Sequence, residues 1–224
     1  MEDTRARILT AAERLFAERG FAGASLRAVI GEAKVNLAAI HYYFGSKEKL
    51  LEAVFARRLE PLNRARLQML EDTRKEAGDA PVPLEKILEA FIAPPMRLSR
   101  SDAGGRQFLR LLGLMYSEPE AHAPAIIGKN MKEVAAAFLE ALARTVPAMP
   151  REELLWRIHF VVGAMAHTMR STAEIELLSG GLCDGSDVEG NIQRMVRYGA
   201  AVMRAPGGEA CGAEHSRPRL RKRG

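Results

Sequence analysis

The stretch NLAAIHYYFGSKEKL at residues 36–50 decides which fold this sequence predicts. It places a histidine and three aromatic residues side by side at positions 41–44, although only 6% of the 224 residues are aromatic. Neighbouring residues on an α-helix point about 100° apart, so four successive side chains cannot all face one core. Part of this cluster must therefore face outward.

The composition indicates a globular protein. Hydrophobic residues make up 47% of the chain, which is enough for a sizeable core. No run of about 18 apolar residues occurs, and the stretch MEDTRARILTAAERLF begins with an acidic residue instead of a basic start and an apolar block. We therefore expect a cytoplasmic protein with no membrane span.

The net charge of +5 is concentrated at one end of the sequence. Residues 204–224 contain six lysines or arginines and two glutamates, which accounts for four of the five net positive charges. The segment 205–224 is rich in Gly and Pro and has no apolar period, so we expect a disordered basic tail. Evidence for nucleic-acid binding must therefore come from the local placement of residues.

The sequence contains no pattern that favours a metal site, a cofactor or catalysis. Cys183 and Cys211 have no CxxC spacing and no histidine cluster beside them, which argues against a zinc site or a disulfide framework. Two ordinary thiols are the favoured interpretation, and a redox switch is the alternative. The motifs GxSxG, GxGxxG and HExxH and the Walker loop are absent. We therefore expect a protein that is not an enzyme and binds no cofactor or metal.

Nearly every segment has a helical period, and no alternating strand pattern occurs, so the sequence predicts an all-α fold. In the first helix, apolar residues recur at helical spacing from Ile8 to Phe16, and charged residues including Glu13 take the opposite face. Gly20 is predicted to end this helix in a left-handed conformation. Ser25, the residue before LRAVIGEA, is predicted to cap the second helix.

The next helices have start and stop signals of the same kind. Asn36 is predicted to cap the third helix, and Ser46 a longer fourth helix. Pro61 predicts a kink or a break in the fourth helix, whereas Pro94 and Pro95 predict an early end to the fifth. About five helices are expected after the fourth.

Two short helices joined by a tight turn, the second with an exposed face, describe a helix-turn-helix. If Ile40 and Phe44 form the buried line of the second of these helices, Ala38 and Tyr42 point directly away from it. Small side chains let a backbone approach base edges, and tyrosine or histidine tips suit phosphate oxygens. The alternative is a connecting helix whose aromatic residues pack against a neighbour.

Residues 5–52 resemble the DNA-binding segment of the TetR family of bacterial transcriptional regulators. The resemblance rests on four motifs in the family's order, ILTAAERLFAERGF, SLRAVI, AKVN and IHYYFxxKxxL. It implies an N-terminal three-helix helix-turn-helix head and a larger C-terminal helical domain for ligand binding and dimerisation. The expected division is a DNA-binding domain at 1–48, a C-terminal domain at 49–204 and the basic tail at 205–224.

The resemblance also implies which residues meet DNA. Ser25 and Arg27 resemble second-helix residues that meet the DNA backbone or neighbouring bases, and Lys47 resembles a lysine that meets a phosphate. The other expected contacts lie in the third helix and at its cap. They are Asn36 at the start, Leu37, Ala38 and Ala39 facing the bases, and His41, Tyr42 and Tyr43 facing phosphates.

Several positions depart from the family's pattern. Lys34 stands where the turn glycine is usual, Ala38 where glycine is common and His41 where tyrosine is usual. If the turn requires a left-handed residue, lysine costs about 1 kcal/mol relative to glycine. Leu37 stands where the family has a polar residue, and helical geometry alone places it beside Ile40 in the core.

The C-terminal segments contain small residues that would allow two helices to pack closely. They recur around Gly163 and around Gly199, as a two-fold dimer interface would need. Packing within one subunit would give the same pattern. In a homodimer, two recognition helices would enter successive major grooves of an approximately palindromic, double-stranded DNA operator.

The expected ligand of the C-terminal domain is a small apolar effector. The stretches LLWRIHFVVGAMA and RQFLRLLGL resemble a branch of the family that responds to fatty-acid or acyl-thioester ligands. Apolar residues at this spacing also describe an ordinary core. The candidate pocket residues are Phe91, Met96, Phe108, Leu112, Met115, Phe138, Trp156, Phe160 and Met169, with Arg110, His159 and His167 as polar anchors.

The resemblance therefore implies a transcriptional repressor that binds DNA as a dimer and is released by a ligand. The alternative keeps the DNA-binding head but assigns the C-terminal domain to a protein partner. An exposed apolar patch beyond the dimer surface would favour that alternative.

Overall fold

The computed structural model describes residues 3–101, 103–117 and 122–206, and the regular elements in these ranges are all α-helices. They are α1 Thr4–Gly23, α2 Leu26–Ala33, α3 Leu37–Tyr43, α4 Lys47–Ala77, α5 Leu84–Ser101, α6 Ala103–Ser117, α7 His122–Thr145, α8 Arg151–Arg170, α9 Ala173–Leu178 and α10 Val188–Arg204. The predicted all-α fold is confirmed. Cys211 and the expected disorder of the tail lie outside the described residues.

None of these helices is both long enough and apolar enough to cross a membrane, as far as the described part of the chain extends.

Side-chain caps fix where the head's helices begin. In each case a side-chain oxygen accepts the backbone N–H three residues further on, at 3.2 Å for Ser25, 2.9 Å for Asn36 and 3.2 Å for Ser46. Each such cap contributes about 1 kcal/mol to helix stability. The three predicted helix starts are confirmed.

The end of α1 differs from the prediction. Gly20 has the expected positive φ, at φ 72° and ψ 172°, but it forms a kink, and the helix resumes and runs to Gly23. Phe21 is 6% exposed, and its ring centroid lies 5.8 Å from that of Phe16. The kink therefore turns the chain so that Phe21 packs into the head's core.

The fourth helix corrects a second prediction. α4 runs for 31 residues, about 46 Å, and continues through Pro61. Pro61 is exposed, so the carbonyl that loses its helical donor lies on the solvent side. The predicted break is therefore wrong, and one continuous helix leads from the head into the C-terminal domain.

The fifth helix corrects a third prediction, because α5 continues through Pro94 and Pro95. Pro95 has no N–H to donate to the carbonyl of Phe91 four residues earlier. Arg66 of α4 supplies the missing hydrogen bond, since its Nε donates to Phe91 O at 2.9 Å. A contact from another helix thus compensates for a hydrogen bond that proline removes.

Two hydrophobic clusters lie along α4. The first joins α1, α2, α3 and the start of α4 to α6, where the rings of Phe55 and Phe108 meet edge-on at 5.5 Å. The second joins the rest of α4 to α5, α7, α8 and α10, where Phe91 meets Phe138 at 5.2 Å. Because α4 belongs to both clusters, the domain boundary between residues 48 and 49 stays a prediction.

Candidate nucleic-acid interface

The face of α3 opposite Ile40 is open to solvent. Ile40 is fully buried and Phe44 is 7% exposed, whereas Tyr42 is 83% exposed. Ala38 and His41 are exposed as well. Within the aromatic cluster, Phe44 packs into the core whereas His41 and Tyr42 face outward, which favours a helix-turn-helix over a connecting helix whose aromatic residues pack against a neighbour.

Leu37 and Ala39 differ in exposure. Leu37, which the family resemblance placed facing the bases and helical geometry alone placed beside Ile40, is 50% exposed, because the first residue of a helix has no preceding turn for its side chain to cover. Ala39, expected to face bases, is partly buried and packs against the first hydrophobic cluster. Tyr43 is 38% exposed, and its ring meets that of Tyr42 edge-on at 5.0 Å. The outward face therefore centres on Leu37, Ala38 and Tyr42.

The turn between α2 and α3 is held in a left-handed conformation. Lys34 has φ 51° and ψ 51°, and no other non-glycine residue in the described ranges has a positive φ. Its N–H and that of Val35, at 3.2 Å, both donate to the carbonyl of Ile30. The turn does require a left-handed residue, at a cost of about 1 kcal/mol for lysine. These hydrogen bonds fix the direction in which α3 leaves the turn.

The turn between α3 and α4 is held by His41. Its Nδ1 lies 3.0 Å from the carbonyl oxygen of Gly45, whose φ is 78°. Because a carbonyl only accepts, Nδ1 is the donor, which leaves Nε2 for a partner outside the protein. The imidazole thus stiffens the turn and presents a polar nitrogen at the surface.

A lysine is positioned at the N-terminus of α4. Lys47 is the first residue of this helix, and its Nζ lies 4.4 Å from the ring centroid of Phe21. A cation over an aromatic face is held in place without losing its charge. The lysine therefore adds a full positive charge to the partial positive charge of the helix N-terminus, as an anion site requires.

Arg27 and Arg5 are two further arginines of the head whose positions the structure describes. Arg27 is exposed, next to the cap residue Ser25. Sequence reasoning missed Arg5, whose guanidinium lies 5.6 Å from the ring centroid of Phe44. The contact joins residues far apart in the sequence, so no local pattern could have indicated it.

A buried ion cluster joins the head to α4. Glu13, predicted on the charged outer face of α1, is 1% exposed. Arg58 Nε donates to Glu13 Oε1 at 2.9 Å, and the guanidinium of Arg57 pairs with the same carboxylate. Two cations therefore neutralise the buried carboxylate. The prediction for Glu13 is wrong because α4 covers that face of α1.

A cavity of about 200 Å³ lies among α5, α7, α8 and α10 in the C-terminal domain. Its lining side chains are apolar, and they include Phe91, Met131, Phe138, Leu139 and Val162. The volume is below the range of about 300–1,000 Å³ typical of ligand pockets. It therefore suits a small apolar group, or the end of a larger one.

Two of the twelve predicted pocket residues, Phe91 and Phe138, line this cavity. The others lie elsewhere, with Met96 and Met169 in the second hydrophobic cluster, Phe108 and Leu112 in the first, and Arg110, Trp156, His159, Phe160 and His167 exposed. The side chain of Met115 lies outside the described residues. Core and pocket residues share the same helical spacing, so the sequence pattern did not separate the residues of this cavity from those of the core.

The small residues of α8 and α10 divide between two environments. Gly199 is buried, and a Cβ there would come within 3.3 Å of a side chain of α5, so it packs inside the subunit. Gly163 is exposed, on the same side of α8 as Trp156 and Phe160, whose rings stack at 5.9 Å. Tyr198 of α10 is 47% exposed. The outward apolar surface therefore excludes Gly199, contrary to the dimer prediction.

Two segments of the chain match known protein families. Residues 8–54 match the family described as "Bacterial regulatory proteins, tetR family". Residues 89–201 match the family described as "Tetracyclin repressor-like, C-terminal domain". The second match alone covers half of the chain.

Curated relatives match part of the chain. The nicotine-responsive transcriptional repressor HdnoR of Paenarthrobacter nicotinovorans is 40% identical over 63 residues, 28% of this chain and 32% of the relative. The transcriptional repressor NicS of Pseudomonas putida is 39% identical over 69 residues, 31% of this chain and 32% of the relative. The chain thus spans about a third of the length of these relatives.

Solved structures match along most of the chain. The transcriptional regulator FadR from Bacillus subtilis, in complex with stearoyl-CoA, has a TM-score of 0.61 at 16% identity, covering 86% of this chain and 97% of that one. The fatty acid degradation regulator FadR from Bacillus halodurans has a TM-score of 0.59 at 14% identity, covering 90% and 98%. At these identities the likeness shows the fold alone.

Proposed function

The chain belongs to the TetR family of bacterial regulatory proteins, and on this basis we propose that it is a repressor that binds one DNA operator as a homodimer. The family makes it a transcription regulator and not an enzyme. The observation that carries the proposal is the outward face of α3, where Leu37, Ala38 and Tyr42 are exposed between two turns held by hydrogen bonds.

In this proposal the start of α3 meets base edges. Ala38 is small enough for the backbone to approach the floor of the major groove, and an alanine methyl can contact a thymine methyl. Leu37 extends the apolar contact beside it. Because α3 is short and its two turns are fixed, these residues enter the groove without a large loss of conformational entropy.

Phosphate contacts flank this base-reading face. The exposed hydroxyls of Tyr42 and Tyr43 can donate hydrogen bonds to phosphate oxygens, and Lys47 supplies a charge at the N-terminus of α4. His41, whose Nδ1 donates within the protein, can donate to a phosphate from Nε2 when both ring nitrogens carry a proton. Ser25 and Arg27 would meet the backbone from α2, and the cap Asn36 holds the start of α3. These contacts position the protein without reading sequence, and the charged ones make binding salt-dependent.

A homodimer is supported by the outward apolar surface of α8 and α10. Trp156, Phe160 and Tyr198 are each about half exposed, which is unusual for large residues outside an interface. A two-fold axis there would set the two α3 helices for successive major grooves, roughly 34–36 Å apart. The operator would then be approximately palindromic.

A small apolar effector is supported by the cavity in the second hydrophobic cluster. FadR from Bacillus subtilis, similar in fold, was solved with stearoyl-CoA. Here the ligand would occupy the cavity and favour a state whose recognition helices are wrongly spaced for DNA. Release would follow from the ligand's higher affinity for that state.

A protein partner for the C-terminal domain is the second candidate. It is favoured by three leucines around α9, Leu177, Leu178 and Leu182, which are 82%, 83% and 88% exposed. Replacing all three by serine separates the candidates. Loss of a partner protein without loss of dimer or of ligand-controlled DNA release would support this second function.

The test of operator binding is a mobility shift with the DNA immediately upstream of the protein's own gene, at low and high salt. Wild type should bind selectively. Tyr42→Ala and Lys47→Ala should each weaken binding about tenfold at low salt, and Lys47→Ala should also reduce the salt slope by about one per subunit.

Lys75→Ala is the matched control, because Lys75 lies on the same helix about 42 Å from Lys47 and pairs only loosely with Glu71 at 3.7 Å. It should bind as wild type does. Weak, non-specific DNA binding would count against the proposal if neither Tyr42→Ala nor Lys47→Ala changed it.

A further inference from the structure

Arg66 is a buried cation in the middle of α4. Its side chain lies among α4, α5 and α7, and the residue is 4% exposed. The guanidinium carbon stands 4.3 Å from the ring centroid of Phe91, and Nε donates to Phe91 O at 2.9 Å. Nη1 lies 3.7 Å from the sulfur of Met131. A thioether sulfur is a weak hydrogen-bond acceptor.

The contacts of Arg66 do not neutralise its charge. Among the described residues, its hydrogen-bond acceptors are a carbonyl and a thioether, and no carboxylate pairs with it. Burial lowers the pKa of Arg66 to about 10, so the side chain stays charged at neutral pH. A guanidinium has five N–H donors, and a buried charge without a counter-charge is costly. The site is therefore electrostatically incomplete.

A neighbouring residue on the same face of α4 is also incompletely satisfied. Asn63, 9% exposed, donates from Nδ2 to the carbonyl of Asn130 at 2.8 Å, but its buried Oδ1 has no partner in the described part of the chain. Asn130 precedes Met131 on α7. The contact between α4 and α7 thus holds a buried acceptor without a partner in the described part of the chain, in addition to the uncompensated charge of Arg66.

This incomplete site adjoins the apolar cavity. Phe91 and Met131, the two residues in contact with the guanidinium, both line the cavity. The guanidinium is therefore separated from the cavity by the side chains of Phe91 and Met131. Methionine changes rotamer readily, so a shift of Met131 would open the guanidinium to a bound group.

We propose that Arg66 and the cavity together bind a small carboxylic acid, with the alkyl chain against the apolar lining and the carboxylate on the guanidinium. Carboxylates accept two parallel hydrogen bonds from a guanidinium, and such bonds are the strongest available to this side chain. A cavity of about 200 Å³ suits a short or medium alkyl chain. This inference rests on the proposed effector site and specifies its ligand as an anion instead of a neutral molecule.

The ligand would also join the two helices that meet at this point. Arg66 belongs to α4, which starts at the head, and Phe91 belongs to α5, one of the four helices that line the cavity. A carboxylate that recruits the guanidinium would weaken its bond to Phe91 O. Occupancy of the cavity would thereby change how α4 is held against α5.

The test measures binding of octanoate and of octanamide to the purified full chain by isothermal titration calorimetry at neutral pH. The two probes have the same shape, but only octanoate is charged at that pH. Wild type should bind octanoate at least about tenfold more tightly than octanamide. In Arg66→Met, octanoate should fall to the affinity of octanamide, whose own affinity should change little.

Arg66→Lys keeps the charge and should retain part of the preference for octanoate, which makes the test independent of any loss of structure in Arg66→Met. Equal binding of both probes to wild type, or a preference that survives in Arg66→Met, would overturn the inference. If both probes bind equally to wild type, the cavity still accepts a neutral effector, and only the role of the carboxylate is refuted. If neither binds, the cavity is not the effector site and both ideas fail.

Discussion

Two stretches of α4 bury charge in opposite ways. Near the head, the carboxylate of Glu13 is enclosed by the guanidinium groups of Arg57 and Arg58. Two turns further on, Arg66 is buried against a carbonyl, a thioether and an aromatic ring. In the first site the buried carboxylate is neutralised within the chain, and the ion pairs hold the head to α4. The second site is not neutralised, and it adjoins a cavity, which is where a ligand would complete it.

The head site is also packed tightly. Gly104, in the first turn of α6, lies so close to Arg58 that an added Cβ would come within 2.1 Å of Nη2. The guanidinium of Arg58 is thus confined by α6 on one side and by Glu13 on the other. The ion cluster therefore fixes α1, α4 and α6 relative to one another.

The largest effect is expected for Glu13→Ala, which leaves two partly buried guanidinium groups without their carboxylate. The free energy of unfolding should fall by about 3 kcal/mol, as when one partner of a buried ion pair is removed. The control is Glu18→Ala, which removes the exposed partner of Arg14 and should cost less than about 0.5 kcal/mol. Urea unfolding followed by circular dichroism measures both. Similar losses in the two variants would mean that the buried cluster does not hold the head.

An intermediate effect is expected for Gly104→Ala. An alanine normally stabilises a helix by about 0.5–1 kcal/mol relative to glycine, but here the methyl group must displace Arg58. We expect a net loss of about 1 kcal/mol. Gly128→Ala in α7, where no heavy atom lies within 4 Å of the new Cβ, should give the usual gain. Thermal unfolding of the two variants shows whether each substitution raises or lowers the stability. A higher stability in both variants would show that Arg58 is not confined.

The smallest effect is expected for Arg66→Met, in contrast to Glu13→Ala. The variant loses the bond to Phe91 O but also removes a buried, uncompensated charge, so the two changes offset each other. The free energy of unfolding should change by less than about 1 kcal/mol. The same urea titration measures it. A loss near that of Glu13→Ala would make Arg66 a structural residue and remove the contrast between the two sites.

The sequence was informative wherever the deciding interactions are local. Ser25, Asn36 and Ser46 bond to N–H groups three residues away, and the exposed side of α3 follows from helical period. The sequence was misleading wherever contacts with a helix far along the chain determine the local structure or the burial of a residue. Pro95 does not end α5, because Arg66 satisfies the orphaned carbonyl, and Glu13 is buried because α4 supplies two cations. These compensations join residues too far apart in the chain for any periodic pattern to reveal.

The pocket shows the same limit. Trp156 and Phe160 were predicted to line it, yet they are exposed on α8, and Arg66, beside the cavity, was not predicted. Apolar spacing indicates which face of a helix is apolar but not what covers it. The buried arginine was missed because long charged residues usually lie at the surface.

The central claim is that the outward face of α3 reads a DNA sequence. The most direct measurement is selection of binding sites from a pool of random duplex DNA by wild type and by Tyr42→Ala. Wild type should enrich one approximately palindromic site, with half-sites separated by about one helical turn or a multiple of it. Tyr42→Ala, which removes only a phosphate contact, should enrich the same site more weakly. Failure of wild type to enrich any site would contradict the account.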